Sequence, residues 1–324
     1  MKQHPERQIS FVKFQTDAGN PNAAEPDSEG ITVDGDGYVY VAVERDNSAK
    51  GVNYNCILKV DPRTDAKDIV AMQEWDLTDS LPQVSANMGI EAVEWVSNRD
   101  MNGKLYDQNT GAAFDSANYP NAIADGVFFV ALEDNGHAYA YVLNADGSFV
   151  QIADIDSKIG GAMALDYDTY ENVLWIVADN GYNNKAAKVT FNGEQEPSVV
   201  HVQAPAGLDV TANNEGFAIA GPEYTINGQR PVYRFLDGVA KEALSIGSLA
   251  CDYKGTAGDQ GTANNPSQDH SNNTTDSKKN QTIIKQTSQS ENPKTGDSST
   301  VAVWSATLLA SILLIGGLLK KKKR

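Results

Sequence analysis

Four acidic residues recur at the head of strand-like segments. Glu29 opens Glu29-Gly30-Ile31-Thr32-Val33, Glu91 opens Glu91-Ala92-Val93-Glu94-Trp95, and Glu215 opens Glu215-Gly216-Phe217-Ala218-Ile219. Asp166, in Leu165-Asp166-Tyr167, reads as the third member of the series. Carboxylates gathered in a confined space repel one another unless a proton or a cation intervenes. Oxygen donors supplied by several loops suit a hard cation such as Ca2+. Such an ion polarises a phosphoryl oxygen or activates water. Glu29, Glu91, Asp166 and Glu215 are therefore the candidate metal ligands. The same residue type also serves structure, by accepting backbone hydrogen bonds from a neighbouring segment and fixing its position. Glu44, Arg45, Glu133 and Asp179 close the β-prone segments that follow. An Arg beside acids can hold a phosphate bidentately, or form a surface ion pair of little energetic value. Glu91, Glu133 and Arg45 are the catalytic candidates.

Other chemistries lack their residues. No Gly-x-Ser-x-Gly elbow, His-Glu-x-x-His pair or Gly-rich phosphate loop ending in Lys-Ser/Thr occurs. Of the four histidines, His4 and His270 fall near the ends, and His137 and His201 belong to different repeats. A Ser-His-Asp triad has little to stand on.

The acids are positioned by a weak internal repeat between Glu29 and about Leu249. Each head segment is followed by a β-prone run: Tyr38–Glu44, Val127–Glu133, Val173–Asp179 and the looser Val232–Asp237. Third segments follow at Cys56–Val60, Ala138–Leu143 and Ala187–Phe191, and fourth segments at Gln73–Leu77, Val150–Ala153 and Val199–Val202. Short strands in fours, joined by tight turns such as Asp34-Gly35-Asp36-Gly37, are the signature of propeller blades. The fold class is all-β: a β-propeller with four recognisable four-stranded blades over residues 29–252. Its first strands line the central channel, so the head acids converge near the axis. The longest insertion, Ser97–Asp125, is of the kind that shapes a site on one face. Four blades are few for a closed ring, and Ile9–Phe14, within the leading segment 1–28, reads as the outer strand of a preceding blade. The pattern predicts further sequence upstream of Met1.

Net charge is −17, and residues 1–255 hold 17 basic against 38 acidic groups. So acidic a body excludes nucleic acid as a partner. Cys56 and Cys251 are the only cysteines. An oxidising compartment would permit one disulfide between them; two buried thiols are the other reading.

Beyond residue 252 the composition changes. Residues 253–291 are rich in Thr, Asn, Ser, Gln and Gly, with Ile283-Ile284 the one apolar pair. That segment cannot bury enough surface to fold and reads as a disordered spacer. Residues 292–324 hold Asn292-Pro293-Lys294-Thr295-Gly296, an uncharged run of 19 residues from Val301 to Leu319, and the basic tail Lys320–Arg324. As a helix the run spans close to the roughly 30 Å hydrocarbon core of a bilayer. The basic tail stays cytoplasmic.

Pentapeptide, span and tail in this order resemble the sorting signal of Gram-positive surface proteins, with Asn292 where Leu is usual. The resemblance implies a sortase that cuts between Thr295 and Gly296 and joins the Thr295 carbonyl to a peptidoglycan amine, with Asn292 and Pro293 in the recognition motif. It implies a precursor in the membrane and a mature protein anchored to the cell wall. A plain tail anchor is the alternative. An exported destination also calls for a signal peptide, and residues 1–8 contain no apolar core for one.

The body resembles the phytase-like β-propeller family, named for an esterase-like activity of phytase. Glu29-Gly30-Ile31, Val43–Asn47, Glu74–Leu77, Gly89–Val93, Phe128–Glu133 and Asn213–Ala218 carry the resemblance. A weaker similarity is to gluconolactonases, metal-using propellers with a Glu-Gly glutamate. The family resemblance implies hydrolysis of extracellular phosphoesters or esters. A non-catalytic propeller, acting as an adhesin or display module with Ser97–Asp125 at its contact surface, is the alternative.

Overall fold

Every residue of Val127–Leu132 is apolar and every one is buried, as in a strand covered on both faces. That strand belongs to the second of four antiparallel sheets packed face to face. The computed structural model describes residues 11–239 and 241–254. Strand β1 (Phe11–Lys13) comes first. Blade 1 contains β2 (Pro26–Val33), β3 (Val39–Asp46), β4 (Cys56–Val60) and, after the short β5 (Asp68–Val70), β6 (Gln73–Asp76), bonded in the order β2-β3-β4-β6. Blade 2 opens with β7 (Ile90–Ser97). Its insertion carries a one-turn helix, α1 (Asn98–Met101), and a ribbon of β8 (Tyr106–Asp107) with β9 (Ala112–Ala113). The blade resumes with β10 (Gly126–Leu132), β11 (His137–Leu143) and β12 (Phe149–Asp156). Blade 3 is β13 (Ala164–Asp168), β14 (Val173–Val177), β15 (Ala186–Thr190) and β16 (Ser198–Val202). Blade 4 is β17 (Asn214–Ile219), β18 (Gln229–Leu236) and β19 (Leu244–Ala250). The four-blade propeller arrangement is the expected one. Blade 4 has three strands among the described residues where four were expected.

Period-2 alternation decides which blade each side chain meets. Phe128, Val130 and Leu132 pack with Tyr40, Ala42, Ile57 and Trp75 of blade 1. Val127, Phe129 and Ala131 pack with Leu174, Ile176 and Val189 of blade 3. Trp175 and Val177 meet Phe217, Ile219 and Leu249 of blade 4. Blades 1 and 2 approach closely along their inner strands because Gly30 has no side chain. A Cβ there would sit 2.7 Å from Ala92 Cα and 3.0 Å from the Glu91 carbonyl oxygen.

One expectation changes. Strand β1 is not the outer strand of a preceding blade. It pairs in parallel with β5 beside blade 1, Phe11 opposite Asp68 and Lys13 opposite Val70. The gain is apolar: Phe14 and Val12 cover Val41, Val43, Cys56 and Leu58. The Ser97–Asp125 insertion, expected to shape one face, also buries Met101, Leu105 and Phe114 in the core between blades 2 and 3. Cys56 and Cys251 are buried free thiols and form no disulfide. Among the described residues no helix is long and apolar enough to cross a membrane. The expected spacer beyond residue 254 and the expected sorting signal 292–324 lie outside the described residues.

Candidate functional site

Three of the four head acids occupy the same structural irregularity. In blade 1, Ser28 pairs with Val43 and Gly30 with Ala42, so Glu29 has no cross-strand partner. In blade 2, Ala92 pairs with Ala131 and Ile90 with Leu132, which leaves Glu91 unmatched. In blade 4, Asn214 pairs with Leu236 and Gly216 with Phe235, which leaves Glu215 unmatched. A β-bulge re-aims the extra residue's side chain. Here it repeats at equivalent places in three inner strands and each time carries a carboxylate. Glu44 is a bulge residue on β3, between Val43 and Arg45.

Glu29, Glu44 and Glu91 meet other carboxylates, whereas Glu215 joins neither close group. Glu44, Glu91 and Glu133 bring ligand oxygens within 4.8 Å of one another, and so do Asp27, Glu29 and Glu44. Glu44 and Glu91 are buried, Glu133 is partly buried and Glu29 is exposed to the channel. Glu44 Oε1 accepts from the Gly89 amide at 2.9 Å, and Glu133 donates its own amide to the Gly89 carbonyl at 2.8 Å.

Burial and mutual repulsion push the whole group toward the protonated state. Loss of hydration among the neighbouring groups raises Glu29 to about 8 although its side chain keeps exposed surface, with Asp27, Glu44 and Glu215 adding to it and Arg45 opposing. Burial raises Glu133 to about 7, assisted by Glu44 and Asp179. Burial raises Glu215 to about 7, with Asp237 next. Glu91 lies well above the usual carboxylate range through burial, then through Glu29, Glu44 and Glu133. Burial raises Glu44 against the Gly89 amide and Arg45.

Arg45 is committed within this group. Its Nη2 is 2.5 Å from Asp27 Oδ2 and its Nη1 is 2.8 Å from Glu44 Oε2. Nη1 also donates to the Ala86 carbonyl at 2.9 Å and to Asn87 Oδ1. Its side chain is neither a surface ion pair nor an open phosphate clamp. It neutralises part of the acidic cluster and ties the 86–89 turn to blade 1.

Asp166 does not join the cluster. Met163 stands at the position equivalent to Glu91, its amide bonded to the Val177 carbonyl at 2.8 Å, and β13 runs without a bulge. Asp166 belongs one layer along the channel, in a series that links consecutive blades. Trp95 donates its amide to Thr32 Oγ1 at 3.0 Å, Tyr167 to Glu94 Oε1 at 3.1 Å, and Ile219 to Asp166 Oδ2 at 2.8 Å. Thr32, Glu94 and Asp166 are therefore equivalent residues that bolt each inner strand to the next. Burial holds Glu94 at about 8 and Asp166 at about 7. The acid-plus-aromatic look of Asp166-Tyr167 matched Glu94-Trp95, three residues downstream of the head position. That parallel was available in the sequence, as was the strand-ending pair Glu44 and Glu133. Asp27 gave no signal, since a bulge brings it in.

The donor set fits a hard cation. It is entirely oxygen, the ligand type that Ca2+ takes. The two mid-chain histidines are occupied elsewhere: His137 Nδ1 lies 2.5 Å from Asp154 and His201 Nε2 lies 2.9 Å from the Ser157 carbonyl.

No known family model matches the chain, and no curated protein matches it. Solved structures align with it in part. A protein from Lactobacillus plantarum aligns at 10% identity and a TM-score of 0.35, over 70% of this chain and 56% of that one. An α-L-arabinofuranosidase from Fusarium graminearum, solved with an iminosugar inhibitor, aligns at 10% identity and a TM-score of 0.38, over 70% and 62%. A periplasmic gluconolactonase from Pseudomonas aeruginosa aligns at 14% identity and a TM-score of 0.31, over 71% of each chain. The chain thus spans less than two thirds of the length of the first two.

Proposed function

We propose that this chain is a Gram-positive cell-wall surface protein whose phytase-like propeller hydrolyses extracellular phosphoesters or esters with a bound divalent cation. One observation carries the activity: Glu91 at an inner-strand bulge, Glu44 at a bulge on β3 and Glu133 just past the end of β10 bring ligand oxygens within 4.8 Å of one another. Such a cluster carries too much negative charge to receive a phosphate by itself. Glu44, Glu91 and Glu133 would hold Ca2+, with Asp27 and Glu29 adjoining. The cation supplies Lewis-acid polarisation of the substrate oxygen and acidifies a water. Glu29, beside the ion and not among its three ligands, titrates without the ion at about 8, where a general acid–base group is effective. Arg45 positions Asp27 and Glu44. The display-module reading draws less support, because the insertion's apolar residues are spent in the core.

Anchoring rests on the order of Asn292–Gly296, the apolar run 301–319 and the basic tail. Sortase and peptidoglycan are the partners this implies, with Thr295 as the covalent link. Two experiments test the parts separately. Calorimetric titration of chelator-treated protein with Ca2+ should show binding, and aryl phosphates or aryl esters should turn over only with the ion present. Absence of both binding and turnover ends the enzyme reading. Thr295→Ala should leave the protein extractable by detergent; release only by wall hydrolases would refute the cut.

A further inference from the structure

Glu44, Glu91 and Glu133 are tied together through one residue, Gly89. Its amide donates to Glu44 Oε1 at 2.9 Å, and its carbonyl accepts the Glu133 amide at 2.8 Å. Glu91 follows two residues later, at the bulge in β7. The amide between them is held as well: Ile90 donates to Asn55 Oδ1 at 2.8 Å. Asn55 is fully buried, and each of its polar groups has a partner. Its amide donates to Thr78 Oγ1 at 2.9 Å, its carbonyl accepts the Leu77 amide at 2.8 Å, and its Nδ2 donates to Asn53 Oδ1 at 2.7 Å. A buried polar network with every member satisfied is rigid. Space at Gly89 is equally restricted. A Cβ there would sit 2.2 Å from Asn55 Oδ1 and 2.8 Å from Glu44 Cγ. The Gly89 backbone lies outside the left-handed region, so close approach and not conformation demands glycine. All of these residues lie in blades 1 and 2 or in their connecting loops.

We propose that Asn55 is a positioning residue for the cation site and acts through Gly89. The assignment rests on the reading of Glu44, Glu91 and Glu133 as ligands. Asn55 bonds to none of the three carboxylates. It fixes the Ile90 amide, and with it the Gly89 unit that Glu44 and Glu133 bond to and from which Glu91 departs. Carboxylates that repel one another spread apart unless they are held. Ligands already held when the ion arrives lose less freedom on binding it.

Calorimetric Ca2+ titration and amide hydrogen exchange, both on the full chain in mild detergent, test the assignment. Asn98 is the matched control. It is a buried asparagine beyond the opposite end of β7, with its Nδ2 donating to Asp125 Oδ1 at 2.8 Å. Asn55→Ala should weaken Ca2+ binding at least tenfold, and Asn98→Ala less than twofold. In chelator, Asn55→Ala should speed exchange at least tenfold at the Gly89 and Glu133 amides as well as at Ile90. Asn98→Ala should leave all three slow. Gly89→Ala drives a methyl onto Asn55 and Glu44, and it should also weaken Ca2+ binding at least tenfold. It decides the matter if Asn55→Ala does not fold. Equal effects of the two asparagine variants on Ca2+ binding, or exchange quickened at Ile90 alone, would overturn the proposal. Failure of the wild-type chain to bind Ca2+ ends the cation reading itself. Wild-type binding that survives Gly89→Ala within twofold ends the proposal alone.

Discussion

Binding of Ca2+ to the carboxylate cluster should expel protons, and the number follows from the site. A group titrating at about 8 carries about 0.9 proton at pH 7, and one at about 7 carries about 0.5. Glu29 and Glu133 have those values. Between them they hold about 1.4 protons at pH 7 and about 0.1 at pH 9. Glu44 and Glu91 are raised as well, so about 1.4 is a lower bound at neutral pH. The cation takes the place of these protons, because it relieves the same repulsion among Glu29, Glu44, Glu91 and Glu133. Calorimetry in two buffers of different ionisation enthalpy measures the protons released per ion bound. Apparent affinity should rise from pH 6 to pH 8 and level off above. Release below about 0.3 proton at pH 7, or equal release at pH 7 and pH 9, would refute the idea that protons and the cation compete for one site.

The layered channel separates ligands from bolts. Glu91→Gln should weaken Ca2+ binding at least tenfold, whereas Asp166→Asn, which keeps an acceptor for the Ile219 amide, should change it less than twofold; equal effects by calorimetry would reunite Asp166 with the site. Arg230 holds Asp168 across blades 3 and 4 through paired hydrogen bonds, Nη1 to Oδ1 at 2.9 Å and Nη2 to Oδ2, with both side chains buried. Arg230→Ala should cost about 3–5 kcal/mol by urea unfolding, since it strands a buried carboxylate; a loss under about 1 kcal/mol would contradict this. Glu94, Asp166, Glu133 and Glu215 titrate higher in the folded chain than carboxylates ordinarily do. Their contribution to stability is complete below the ordinary carboxylate range and is lost as pH rises through about 7–8. The melting temperature in chelator should therefore fall between pH 6 and pH 8.5, and Ca2+ should restore only the part due to Glu133; a rise across that interval would reverse the assigned sign.

The chain by itself determined the strands. Runs such as Val127–Leu132 and Val173–Val177, with Asp-Gly and Asn-Gly turns between shorter segments, are local signals, because apolar alternation and turn chemistry act within a few residues. They placed the four blades and put Glu29, Glu91 and Glu215 on inner strands. They also put Glu133 at the end of a strand. Tertiary structure decided what lay between strands. The bulges that free Glu29, Glu44 and Glu91 are set by cross-strand register, which no single segment contains. A straight ladder through β13 moves Asp166 one layer away and leaves Met163 in its place. Burial against two neighbouring blades spends Met101, Leu105 and Phe114 inside the core, although their segment reads as a polar loop. Arg45 reads in sequence as a phosphate clamp or a surface ion pair; the fold closes Asp27 and the 86–89 turn around it. Strand identity is a property of the local chain, whereas the charge state and partners of a carboxylate depend on which distant residues share its space.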